Sequence, residues 1–174
     1  MSEIVQKDAP VLREKAREVP LSDIGTPEVN DVIKRMRDAL AAEYDGVAIA
    51  APQIGETLRI FVVSGRLFAE DEKTPGEDII FINPVIKKAS RRKEEMEEGC
   101  LSVRWKYGTV RRSVKVRVFA YDEHGDPFTY NASGLLAQIF QHEADHLDGI
   151  LFLDKARDVR DIDPEELKHA YGHE

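Results

Sequence analysis

Gln141-His142-Glu143-Ala144-Asp145-His146 sets two imidazoles one helical turn apart on the same face, since residues i and i+4 of a helix lie one above the other. His142 and His146 can therefore reach one metal ion, with Glu143 beside it as a proton carrier. By chance a HExxH string arises in only about one in a hundred chains of this composition. The apolar residues around it (Leu135, Leu136, Ile139, Phe140, Leu147) fall on several helix faces, so the spacing predicts a core helix rather than a surface one. Asn131 or Ser133 is its expected N-cap and Gly149 its stop.

Upstream, Pro27 opens a second helix running to about Tyr44, whose apolar positions Val29, Val32, Ile33, Met36 and Leu40 recur at three and four. Asp45-Gly46 ends it and leads into the small-residue stretch Val47-Ala48-Ile49-Ala50-Ala51-Pro52-Gln53. Strands are expected at Leu58 to Val63, at Ile79 to Ile82 and from Asn83-Pro84 to Ala89, with a polar loop at Ala69 to Glu77. Val110 to Asp122 reads as one alternating strand, turning at Asp122 to Asp126 into Pro127 to Tyr130. A helix, several antiparallel strands and then a buried helix make an α+β fold. The expected organisation is a single metallohydrolase domain over 1–174, in which 155–174 form a short acidic helix or tail.

The 174 residues suffice for a real hydrophobic core. A net charge of −8, from 25 basic and 33 acidic residues, argues against nucleic-acid binding and against an anionic membrane. No apolar run approaches the roughly 18–20 residues of a membrane span, and the acidic start Met1-Ser2-Glu3 does not read as a signal peptide. The single cysteine, Cys100, forbids an intramolecular disulfide. A cytoplasmic protein is expected.

A third ligand separates the classes of HExxH enzyme. The extended pattern HExxHxxGxxH matches as far as Gly149, but its last position is Phe152, which cannot bind metal. A glutamate about twenty residues downstream is a second route. Glu165 and Glu166 have that spacing, although their surroundings read as the ordinary acidic first turn of a helix. Cys100, in Glu98-Gly99-Cys100-Leu101-Ser102, is the third. A thiolate and two imidazoles leave one tetrahedral position open for water, as in catalytic zinc sites; the alternative for Cys100 is a small buried apolar side chain. On the residues alone both the glutamate and the cysteine routes stay open, as does a metal-independent Cys100 nucleophile.

Gly46-Val47-Ala48-Ile49-Ala50-Ala51-Pro52-Gln53, Glu98-Gly99-Cys100-Leu101-Ser102 and the HExxH stretch resemble, in order and spacing, the three motifs of the peptide deformylase family. The likeness runs from about Leu12 to Lys155. It implies a metal-dependent hydrolase that removes the N-formyl group from the initiator methionine of new polypeptides and releases formate. Cys100, His142 and His146 would hold Fe(2+), with Zn(2+), Ni(2+) or Co(2+) as substitutes. Glu143 would carry the proton, and the Gln53 amide and the Leu101 N–H would stabilise the oxyanion. The implied substrate site comprises Gly46, Val47, Ala48, Met96, Gly99, Leu135, Gln138 and Ile139. The implied partners are an N-formylmethionyl peptide and, transiently, the ribosome. Glu98 is expected to pair with Arg112, and Asp145 to be structural.

The chain departs from the pattern at Ala48 (usually glycine), at Arg104-Trp105 (usually a proline), at Tyr107 and at Gln138. These departures keep open a protein that binds formylated peptides without turnover. Trp105 and Tyr107 read equally as a loop shielding the site or as substrate contacts. His169 and His173 lack a glutamate between them and read as solvated surface.

Overall fold

The structure is a computed structural model that describes residues 2–69 and 76–172. Thr26 caps helix α1 (Pro27–Ala41), accepting from Val29 N at 3.4 Å, and Pro27 occupies the first turn, where its missing N–H costs nothing. The five apolar positions expected to face the core are all buried.

Strands β1 (Ala48–Ala50), β2 (Ile60–Val63), β3 (Ile79–Ala89), β6 (Lys115–Tyr121) and β7 (Pro127–Ser133) form one antiparallel sheet in the order β1-β2-β3-β6-β7. Successive side chains of a strand point to opposite faces, and here both faces are covered. Ile60, Val62, Ile80 and Ile82 pack with α1, whereas Phe61, Val63, Phe81 and Val118 pack with helix α2 (Gly134–Leu147). Phe61, Phe81 and Phe140 meet at ring-centroid distances of 4.5, 4.9 and 6.0 Å and form the aromatic centre of that second layer.

A second sheet pairs β4 (Lys93–Gly99), β5 (Lys106–Ser113) and β8 (Arg157–Asp161) in the order β4-β5-β8. Its Val110 packs with Leu12, Val103, Leu151 and Phe152. A short helix α3 (Pro164–Ala170) follows.

The structure corrects several expectations. The strand expected from Val110 to Asp122 is two strands in different sheets, broken at Val114. Gln141 of α2 grips the break, accepting from Ser113 N at 3.0 Å and donating to Ser113 O at 2.9 Å. The strands expected before and after Asn83 are instead one, β3, kinked at Asn83 (φ 51°). The segment after Lys155, expected as helix or tail, contributes a strand before its helix. β4 had no expected strand at all. The expected loop of Ala69 to Glu77 falls mostly, and His173 wholly, outside the described residues.

Asn83 tolerates left-handed backbone better than most side chains. Its Oδ1 accepts from Val19 N and its Nδ2 donates to Val19 O, both at 2.8 Å and buried. Asn83→Ala strands both Val19 groups and keeps a strained φ, so a loss of about 2–4 kcal/mol in urea unfolding is expected. A loss under about 0.5 kcal/mol would show that Val19 finds other partners.

Candidate metal centre

Ser133 is the N-cap of α2, and Asn131 lies in β7 instead, accepting from Arg117 Nε at 2.9 Å. The helix ends at Leu147, with Gly149 at φ 74° and Ile150 N bonded to Asp145 O at 2.9 Å. A Cβ at Gly149 would sit 2.6 Å from Arg13 O, so only glycine fits there. The α2 ligand face is thus fixed at its C-terminal end against the N-terminal segment.

His142 Nε2 and His146 Nε2 are 3.2 Å apart, and Cys100 Sγ lies 3.3 Å from His146 Nε2. The three donor atoms all lie within 4.8 Å of one another, and among the described residues this is the cluster of His, Cys and carboxylate groups able to hold a metal ion. Glu165 and Glu166 are exposed on α3 and do not join it. The donor set fits a divalent ion of borderline softness: one thiolate and two neutral imidazoles. Two nitrogens this close also exclude two charged rings. Burial holds His146 well below the usual histidine range. Burial presses His142 the same way, but bonds to Cys100 and Glu98 outweigh it and raise it.

Glu98 faces α2 from β4, and its carboxylate is the junction of the site. Oε1 sits 2.5 Å from His142 Nδ1, and Arg112 of β5 donates from Nη2 to Oε1 at 2.6 Å and from Nε to Oε2 at 3.1 Å. Burial pushes this carboxyl up, but the His142 and Arg112 bonds prevail and hold it at about 2. Arg112 also donates to Asp145 Oδ2 at 2.6 Å, and Lys155 Nζ lies 2.9 Å from the same oxygen. The expected Glu98–Arg112 pair is present and Asp145 serves it; the bond from Glu98 to His142 was not expected. The spacing of β4 residues could have suggested it, because Glu98 and Cys100 bracket a single glycine.

Glu143 is 3 % exposed and its Oε2 is buried with no hydrogen-bond partner. Burial pushes its carboxyl up to about 7. Gln53, 1 % exposed, accepts from Ala50 N at 2.8 Å; its Nε2 donates to Ser102 Oγ at 3.1 Å and lies 3.7 Å from Cys100 Sγ.

A cavity of about 220 Å³ opens beside these groups. This is below the ~300–1,000 Å³ of pockets for drug-sized ligands, so it suits one side chain with its flanking backbone. Val47, Ala48, Gly99, Leu101, Leu135, Gln138 and Ile139 line it, together with Gln53, Cys100, His142 and Glu143. Gly46 and Met96 do not: Gly46 turns against Leu40 and Glu43, and Met96 pairs with Val110 within the second sheet. Ala48 is extended in β1 and needs no positive φ, so its methyl is tolerated. Gln138 donates to Glu97 O at 2.8 Å and to Glu98 Oε2 at 3.3 Å, which ties α2 to β4. Trp105 and Tyr107 line the cavity, and so do Asp45, Arg104 and Tyr171, which were not expected there. Tyr171 carries no sequence signal of its own, because only tertiary packing brings it near.

The model of the family described as polypeptide deformylase matches residues 1–161. Peptide deformylase 1A, chloroplastic/mitochondrial, of Arabidopsis thaliana is 41% identical over 188 residues, covering 99% of this chain and 68% of that protein. A peptide deformylase of Desulforudis audaxviator is 42% identical over 157 residues, covering 90% and 94%. Among solved structures, the peptide deformylase of Synechococcus elongatus in complex with actinonin is 31% identical with a TM-score of 0.75, covering 99% of this chain and 86% of that one. The Met-Ala-Ser-bound enzyme of Acinetobacter baumannii is 29% identical with a TM-score of 0.79, covering 89% and 99%.

Partners that fix a ligating histidine typically contribute 10- to 100-fold to metal affinity. Glu98→Gln is therefore expected to weaken Zn(2+) binding by about that factor in chelator competition. Unchanged affinity would show that the His142 ring is held without the carboxylate.

Proposed function

Membership of the polypeptide deformylase family, to which this chain belongs, is the premise from which we propose how its residues remove the N-formyl group of new polypeptides. The enzyme is a hydrolase whose products are formate and a peptide with a free amine. The observation that carries the assignment of roles is the trio of Cys100 Sγ, His142 Nε2 and His146 Nε2 beside the buried, unpaired Glu143 Oε2.

Cys100, His142 and His146 would hold the ion; we favour Fe(2+), with Zn(2+), Ni(2+) or Co(2+) as substitutes. When bound, it supplies Lewis acidity, lowering the pKa of water and polarising a carbonyl. Glu143 would carry the proton in both directions, since its carboxyl is buried, unpaired at Oε2 and raised by that burial. Its Oε2 takes the proton of the attacking water and returns it to the leaving amine. Charge then develops on the formyl oxygen. The Gln53 amide, whose Nε2 lies 3.7 Å from Cys100 Sγ, and the Leu101 N–H would donate to it.

The peptide would lie between two open sheet edges, since β1 ends one sheet and β4 ends the other, and both line the cavity. Main-chain pairing along such edges gives affinity with little demand on sequence. Val47, Leu135 and Ile139 would receive the methionine side chain. The substrate would bring the enzyme transiently to the ribosome, in the cytoplasm. Among the described residues no helix is long and apolar enough to cross a membrane.

The test is formate release from formyl-Met-Ala-Ser by anaerobically purified protein reconstituted with Fe(2+). Turnover is expected to vanish on chelation, to return with metal, and to fall by at least about 100-fold in Glu143→Ala. Cys100→Ser is expected to lower bound metal while Glu166→Gln retains it. Full turnover after chelation, or metal lost with Glu166 instead, would overturn this assignment.

A further inference from the structure

The cavity wall farthest in sequence from the three motifs is built by the C-terminal segment. β8 pairs with β5 at Lys106↔Asp161 and Tyr107↔Arg160, and Ile162 N donates to Trp105 O at 2.8 Å. The segment that follows brings Tyr171, at the end of α3, to the same cavity as Arg104 and Trp105. Leu167, 9 % exposed, anchors the short helix. Just past it, Tyr171 lines the cavity and sets its ring edge-on to Tyr44 at 6.1 Å. Residues beyond 161 lie outside the stretch that the family model matches.

The other groups on this wall are held rigid. Arg104 donates to Asp45 at 2.6 and 3.0 Å and to Glu43 at 2.7 Å, and its guanidinium lies 4.3 Å above the Trp105 ring. Tyr107 lies opposite Gly99 in the β4–β5 ladder, where a Cβ would meet its ring at 2.8 Å; the absence of that Cβ lets the ring lie over Gly99. Tyr171, by contrast, is 49 % exposed, so one side of its ring meets the cavity and the other meets water. A half-wet aromatic at an opening is a contact surface for whatever protrudes from it.

We propose that Tyr171 is a specificity-determining residue, which together with Trp105 and Tyr107 forms an aromatic wall that favours large apolar or aromatic side chains in the peptide just after the formylated residue. The inference rests on the deformylase reading and adds a preference to it. The wall's cations are already paired, Arg104 with Asp45 and Glu43 and Lys106 with Asp161. What it offers a peptide is therefore aromatic surface rather than an unpaired cation. Such ring pairs contribute a few-fold to about tenfold in affinity.

The experiment compares KM and kcat for formyl-Met-Ala-Ala and formyl-Met-Phe-Phe with the Fe(2+) enzyme, in the wild type, Tyr171→Ala and Tyr171→Phe. The wild type is expected to show a KM about 3- to 10-fold lower for the aromatic peptide. Tyr171→Ala brings the two KM values together, and Tyr171→Phe, which keeps the ring, restores the preference. Equal KM values in the wild type, or a ratio unmoved by Tyr171→Ala, would overturn the wall while leaving deformylation intact. An equal fall in kcat on both peptides with the KM ratio preserved would likewise overturn it, as a purely structural effect. Absence of formate from both peptides with the wild type would overturn the deformylase reading and this inference together.

Discussion

One buried carboxylate holds the active part of this molecule together. Glu98, on the strand that leads into Cys100, accepts from Arg112 in the neighbouring strand and bonds His142 in the helix. Taking a carboxylate and a guanidinium out of water is costly, and the cost is offset only when geometry is good and further bonds fill the remaining valences. Here they are filled: Arg112 continues to Asp145, and Gln138 adds a donor to Glu98. The arrangement is demanding because losing one member would leave a charge buried alone. In return it fixes the thiolate's strand, the first imidazole and the ring's tautomer with respect to one another.

The parts of the fold that follow a simple period were legible in the chain. α1 repeats at three and four with a proline at its start, and α2 announces itself through HExxH. The strand β4 was not, for a physical reason. Its sequence Lys93–Gly99 is almost wholly charged, which resembles a solvated run. Its outward glutamates are neutralised across the sheet, Glu95 by Arg157 and Glu97 by Arg160, and Glu98 is buried by Arg112. Those partners lie 14 to 63 positions away, beyond any local pattern. The same reason hid β8, every residue of which is exposed. The break at Val114 escaped because alternation continues through it; what ends one sheet and begins the next is the grip of Gln141, a tertiary contact.

The site divides similarly. Side chains named by motif come together, the His142–Glu143–His146 group by its helical spacing and Cys100 and Gln53 by the resemblance. Those named by counting along a helix face, Leu135, Gln138 and Ile139, do line the cavity, although Gln138 spends its amide on Glu97 and Glu98. Gly46 and Met96 came from resemblance alone and lie off the cavity. Ala48 shows why a departure from a motif needs its backbone before its cost can be judged: an extended residue has no need of glycine.

The donors come from opposite sides of a seam. Cys100 follows the first strand of the small sheet, and the two histidines ride on the helix that backs the large one. An ion held by all three is therefore also a rivet between layers. Its affinity adds to their cohesion as RT ln(1 + [L]/Kd), about 4.1 kcal/mol at a thousandfold excess over Kd. Oxidation of a single sulfur would then weaken the protein's mechanical coherence as well as its chemistry.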